Sequence, residues 1–306
     1  MEKLPKHHYV PVFYLREWVK PDGRLTEFSR PTAGSVKARP AGPKGTGYVR
    51  GLYRFEAETE EISEAFERLF FGAVDSAAKK ALDIHLGRSH EKWDSENRSA
   101  WSRFMIGMLY RNPERIAGLR KYIEDIALDN YEAGKVEYDA QAKPDDPPFL
   151  DYLVKKTTFD AIEWTQTIMS NEKIGLHLNH MRWSVRDVSD SGLKLFTSDR
   201  PILMTNGLIG DMAHLIMPIN PDKAFVACNS QVMENQLFSL SSTDFAKGCN
   251  RNILRYAQKY AWNVDDQFIN RADEHLGIDA DAGEAFFLAQ PDRARKELIE
   301  SGVLRA

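Results

Sequence analysis

The chain has 306 residues, of which 42% are hydrophobic, 28% charged and 11% aromatic. Those proportions support a sizeable packed core and exclude long disorder. Net charge is −4, which differs from the overall basic balance usual in a nucleic-acid binder, and two cysteines, Cys228 and Cys249, exclude a disulfide framework or a thiolate zinc site.

The opening Met1–Pro11 stretch has no apolar leader core, and no segment approaches the length of a membrane span. A cytoplasmic location without a membrane partner is therefore expected. Residues 1–54 hold eleven Lys or Arg against four Asp or Glu, a balance of +7. This basic arm can hold an anion or be a solvated face. His7 and His8 lie on an extended stretch, so their side chains point to opposite sides and at most one enters a given site. Neutral imidazole suits a metal ligand or a general base, and a buried, hydrogen-bonded ring is the competing reading.

Residues 11–20 read as a short helix with Val12, Tyr14, Leu15 and Trp18 near one face. Pro21-Asp22-Gly23 marks a turn, Leu25–Phe28 alternates like a strand, and 31–51 reads as loop with a short strand at Ser35–Arg39. The run Gly42-Pro43-Lys44-Gly45-Thr46-Gly47 lacks the pattern of a phosphate-binding loop.

Helices follow. One is capped by Thr59 and runs through Ile62, Phe66, Leu69, Ala73 and Ala77 to about Leu86. A second starts near Asp94 or Ser95 with Trp101, Phe104, Met105 and Met108 facing the core. A third opens at Asn112-Pro113-Glu114, an N-cap followed by proline. An acidic connection is expected at 134–148, within a stretch (129–151) whose balance is −5. A long helix is expected from Pro148 to His180, including Ala161 and Ile168 on its inner side and bent or divided at Gly175.

After Met181 the pattern changes to short strands at Trp183–Val188, Leu193–Thr197, His214–Ile219 and Ala224–Cys228, read as an antiparallel meander. A helix over Ser242–Lys259, a strand at Tyr260–Val264, and a short strand and helix within 284–306 complete the chain. Helices first and strands later give an α+β fold. The expectation is a single domain, 1–306, with a basic N-terminal arm (1–54), a large helical part (59–181) and a strand-rich part (182–306) with a C-terminal helix.

Arg111, at a helix junction, can bond the last helix carbonyls or grip an anion. Asp199, in Ser198-Asp199-Arg200-Pro201 after a strand, can be a functional carboxylate or an Asx turn. His177 and His180 share a helix face and could form half a metal site, with His214 as a third ligand. There is no GxSxG, GxGxxG or HExxH pattern.

Lys6-His7-His8-Tyr9-Val10-Pro11 with Phe13-Tyr14-Leu15-Arg16 resembles the start of a bacterial and fungal family of unknown function, domain-of-unknown-function family 4238. Arg111-Asn112-Pro113 is similar to its Arg-x-Pro junction, Phe196–Pro201 to its Ser-Asp-x-Pro strand end, and Asn250 to an asparagine of its late helix. The resemblance spans roughly residues 6–264. Val12 and Asn112 stand where the family commonly has Gln and Thr. The resemblance implies that His, Arg, Asp and Asn from distant segments converge. Two functions fit such a set. One is a hydrolase of a phosphodiester or nucleic acid, as in a nuclease: His7 or His8 would be base or metal ligand, Asp199 would hold a divalent metal or orient the histidine, Arg111 would stabilise phosphate charge, and Asn250 would orient substrate or water. The other is a non-catalytic module that binds nucleic acid, a peptide or a small anionic ligand, in which the same residues form a structural network.

Overall fold

The computed structural model describes residues 5–31, 34–52, 72–204 and 207–281. The chain opens with β1 (Lys6–His8), α1 (Val12–Leu15) and a single 3-10 turn over Arg16–Trp18. It continues through β2 (Leu25–Ser29), β3 (Lys37–Ala41) and β4 (Tyr48–Arg50). Six helices follow: α2 (Gly72–His85), α3 (Ser95–Tyr110), α4 (Pro113–Asp129), α5 (Tyr131–Gln141), α6 (Phe149–Met169) and α7 (Glu172–His180). Then come β5 (Arg182–Asp187), β6 (Thr197–Ser198), β7 (Leu203–Met204), β8 (His214–Asn220) and β9 (Lys223–Cys228). The described chain closes with α8 (Gln231–Ser239), α9 (Ser242–Tyr256), β10 (Tyr260–Asn263) and α10 (Ile269–His275). This is the α+β arrangement expected from the order of helices and strands. The Thr59 cap with Ile62, Phe66 and Leu69, the elements placed in 284–306, and the side chains of Ala161 and Ile168 lie outside the described residues.

Helix starts follow their caps. Asp94 accepts the Asn97 N–H at 2.8 Å, and Asn112 accepts the Glu114 N–H at 3.0 Å, each satisfying a donor that the first helical turn leaves unpaired. Two expectations are corrected. The acidic connection begins as α5, which buries no side chain. It lacks an apolar stripe for periodicity to detect, and a Lys135–Asp139 pair one turn apart supports it. The long helix divides at Ser170-Asn171 and not at Gly175. Asn171 accepts the Ile174 N–H at 3.1 Å and caps a new helix, whereas Gly175 lies within it.

The strands also depart from a meander. They form a two-stranded ribbon, β1-β4, and two four-stranded sheets, β3-β2-β10-β6 and β5-β9-β8-β7. Every pairing is antiparallel. β10 sits between β2 and β6, with Trp262 opposite both Glu27 and Thr197. Residues 25–41 thereby join the sheet built by the later strands.

Two apolar clusters hold these layers. One gathers Tyr14, Leu15 and Trp18 with α2, α3 and one face of β8 and β9. The other packs Phe28, Phe196 and the inner face of α9 against the opposite face of the same strands. Burial of such faces is the main stabilising term. Polar bonds fix the orientation of the arm. The Tyr14 hydroxyl donates to the Pro218 carbonyl at 2.6 Å and meets Thr197 Oγ1 at 2.7 Å. Trp18 Nε1 donates to the Leu195 carbonyl at 2.8 Å.

Gly47 adopts φ +65°, and a Cβ there would lie 3.1 Å from Val10 Cβ and 3.2 Å from Leu15 Cδ1. Glycine is thus required both by conformation and by close approach. At the end of α2, the His85 ring is boxed by Trp93, Trp101, Trp183 and Phe225 at centroid separations of 4.3 to 5.9 Å. Among the described residues, no helix is long and apolar enough to cross a membrane.

Candidate functional site

The paired ribbon sets the two histidines apart. Lys6, His7 and His8 lie opposite Arg50, Val49 and Tyr48, and strand alternation sends neighbouring side chains to opposite faces. His7 is fully buried, and burial lowers its pKa. His8 is half-buried, its ring 5.5 Å from that of Tyr48. Burial pushes its pKa down to about 4, with Lys6, Arg111 and His7 adding to the effect and the Lys44 backbone opposing it. Its Nε2 is enclosed and makes no hydrogen bond among the described residues.

Arg111 closes α3, its backbone N–H bonding the Gly107 carbonyl at 2.9 Å. The guanidinium is 1% exposed. It reaches Asp75 of α2 at 3.0 Å and the Met108 sulfur at 2.7 Å. The carboxyl of Asp75 is held above the usual range, because burial outweighs the attraction of Arg111. The anion that Arg111 grips here belongs to the chain itself.

Asp199 is also buried. Its Oδ1 accepts the Gln258 N–H at 2.8 Å, and its Oδ2 accepts those of Lys259 and Tyr260 at 2.7 and 2.8 Å. The local-turn alternative is thereby revised: the carboxylate bonds backbone, but backbone some sixty residues later. Ser198 makes the local turn, its Oγ accepting the Arg200 N–H at 3.1 Å. Burial pushes the Asp199 pKa up to about 6, against the pull of the three backbone N–H groups and with a smaller push from Glu114. Asn250, on α9, accepts the Phe196 N–H at 2.8 Å and donates to the Lys194 carbonyl at 2.9 Å. It holds the start of the segment whose end Asp199 fixes.

The fold therefore brings some of these residues together. His8 and Arg111 lie within electrostatic reach, Arg111 pairs with Asp75, and Asn112 Nδ2 donates to the Asp199 carbonyl at 3.3 Å. Tyr9 is buried nearby, and its phenol is pushed up by burial first and then by Asp199 and Glu114. The side chains of Asp199 and Asn250 are each bonded to backbone. His177 Nε2 lies 2.6 Å from the Leu208 carbonyl, and His214 Nδ1 lies 3.1 Å from that of Met212. Among the described residues, no three His, Cys, Asp or Glu side chains are grouped so as to hold a metal ion.

Sequence reasoning missed Asp75, which lay in a helix noted only for its apolar face, and Tyr48. The Tyr48 ring has Lys6 Nζ 4.3 Å and the Arg50 guanidinium carbon 5.9 Å from its centroid. Lys6 Nζ also donates to the Lys44 carbonyl at 3.2 Å. The usable signal was the pairing of Lys6-x-His8 with Tyr48-x-Arg50, two alternating stretches that place all four residues on one ribbon face.

No curated protein and no solved structure matches the chain. The family pattern described as protein of unknown function, DUF4238, matches residues 6–266, a span that includes the His-His opening, Arg111-Asn112-Pro113, Ser198–Pro201 and Asn250, and the chain belongs to that family.

Proposed function

We propose that this chain is a non-catalytic binding module for single-stranded nucleic acid, using the outer face of the β1-β4 ribbon. The observation that carries this reading is the half-buried Tyr48 ring with Lys6 Nζ and the Arg50 guanidinium held over it. An aromatic face with flanking cations stacks a base while pairing the adjoining phosphates, largely regardless of sequence. Exposed Lys44 extends the positive surface. In this reading His7, Arg111, Asp199 and Asn250 support the platform from inside, while His8 lies beside Tyr48 on the same ribbon face. Their existing partners favour that role: both Asp199 oxygens and both ends of the Asn250 amide are occupied by backbone, and Arg111 is paired.

One observation favours the hydrolase reading. With its pKa pushed down to about 4, His8 is neutral near pH 7, and its Nε2 lacks a hydrogen-bond partner among the described residues. That nitrogen is enclosed, which favours binding over proton transfer to a ligand.

Fluorescence anisotropy with a labelled single-stranded oligonucleotide of about 20 nucleotides tests the proposal. Affinity should fall with added salt, and Tyr48→Ala should weaken it about fivefold or more. Equal affinity in Tyr48→Ala, or no binding by the wild type, refutes it. Cleavage of the oligonucleotide that is lost in His8→Ala establishes the hydrolase reading instead.

A further inference from the structure

We propose that the open cleft between the end of α4, α5 and the start of α6 is a binding site for a small organic ammonium ion. It has a volume of about 510 Å³, within the range of small-molecule sites. None of its lining residues belongs to the β1-β4 ribbon or to the His8, Arg111 and Asp199 surroundings.

Its apolar wall is aromatic. Tyr138, Phe149 and Tyr152 line it, with the Tyr138 ring centroid 5.4 Å from that of Phe149 and 4.7 Å from that of Tyr152. Phe149 is buried, whereas Tyr152 is 36% exposed. The cluster is fixed in place: the Tyr138 hydroxyl donates to the Pro147 carbonyl at 2.6 Å. Gly134 lets α5 approach Phe149, since a Cβ there would lie 3.1 Å from Cζ. The cavity wall is thus preformed, which limits the ordering cost of binding.

The charge of the lining selects the ligand. Glu137 and Asp146 line the cavity with a single cation, Lys156, and Lys156 is already paired with Asp160 at 2.7 Å. The Glu137 carboxylate makes no hydrogen bond or ion pair among the described residues, while Asp146 uses one oxygen to accept the Lys143 N–H at 2.6 Å. The surrounding sequence, 129–151, carries a balance of −5. Ring faces attract a cation through their quadrupole, and carboxylates at the rim add a Coulomb term. An alkylammonium group satisfies both, because its carbon surface packs on the rings while its charge remains near the carboxylates. An anion meets repulsion at the same rim.

Choline chloride is the probe, with its uncharged carbon isostere 3,3-dimethylbutan-1-ol as the comparison. Titration calorimetry on the full chain should show choline binding and a markedly weaker response to the isostere. Tyr152→Ala and Glu137→Gln, both at exposed positions, should each weaken choline about threefold or more while leaving the thermal unfolding midpoint near that of the wild type. Absence of choline binding, equal binding of the isostere, or unchanged affinity in both variants overturns the proposal. Tyr48→Ala should leave choline affinity unchanged, which separates this site from the ribbon.

Discussion

Asn112 links two segments far apart in sequence: its Oδ1 caps α4 while its Nδ2 donates to the backbone carbonyl of Asp199, 87 residues later. The Asp199 side chain then secures the turn entering β10. Arg-Asn-Pro and Ser-Asp-Arg-Pro are therefore parts of one joint between the helices and a sheet. Asn112→Ala should cost about 1 to 3 kcal/mol, from the lost cap and the unpaired carbonyl. Asp199→Ala should cost more, since three partly buried N–H groups lose their acceptor at once. Urea denaturation of the two variants gives the order; a larger loss in Asn112→Ala contradicts it.

Asn250→Ala leaves the Phe196 N–H without its side-chain partner and the Lys194 carbonyl with only the longer bond from Asn263 Nδ2 at 3.4 Å. The expected loss is about 2 to 4 kcal/mol. Amide exchange at Phe196 should accelerate more than exchange across β8 and β9. Uniform acceleration indicates that Asn250 acts only through global stability.

Arg111→Met should destabilise by about 3 to 5 kcal/mol, because Asp75 loses its buried partner. Adding Asp75→Leu should recover a large part of the loss, since no uncompensated charge then remains. A double variant no more stable than Arg111→Met shows that the guanidinium acts mainly through its other contacts.

Gly47→Ala must place a Cβ against Val10 and Leu15 at a positive φ. A loss of about 1 to 3 kcal/mol is expected, together with weaker nucleic-acid binding, because the contact positions β4. Wild-type stability and binding in this variant would show that the ribbon tolerates a shift.

His85 gives the fold a pH dependence. Burial among rings holds its pKa down to about 3, with Arg98 adding a smaller push. The neutral ring is favoured in the folded state, so its contribution is present above the unfolded pKa of about 6.5 and is lost as pH falls toward 3. Between pH 7 and 5 the loss is about 2 kcal/mol. His8 acts in the same direction. Asp199, pushed up to about 6, acts in the opposite one, because a raised carboxyl pKa favours the folded state most below about 4 and less as pH climbs through 6. Comparison of the wild type with His85→Phe isolates the first effect: the variant should lose less stability between pH 7 and 5. Parallel pH profiles would contradict the assignment.

What the sequence reveals depends on the range of the forces involved. The starts at Asp94 and Asn112 are legible because a cap and the N–H it satisfies lie within three residues of one another. The bracketing of β10 by β2 and β6 is not, since strands of two to five residues carry no local record of partners that lie, for β6, some 65 positions away and, for β2, more than two hundred. The site divides in the same way. His7, His8, Arg111, Asp199 and Asn250 stand out by residue type and motif. Their partners, Asp75 and the backbone of 258–260, are set by packing between distant elements. Tyr48 was obscured by a Gly-rich surrounding that reads as loop, although its strand pairing with His8 places it on the ribbon.

The central place of β10 in the β3-β2-β10-β6 sheet has a consequence for biosynthesis. Residues 25–41 emerge early from the ribosome, yet β2 must wait for residues 260–263 before its second edge is paired. Until then it presents an open edge to other chains. Completion of this sheet is thus a late step in the life of the nascent chain, and release of a product truncated before residue 260 would leave that edge available for aggregation.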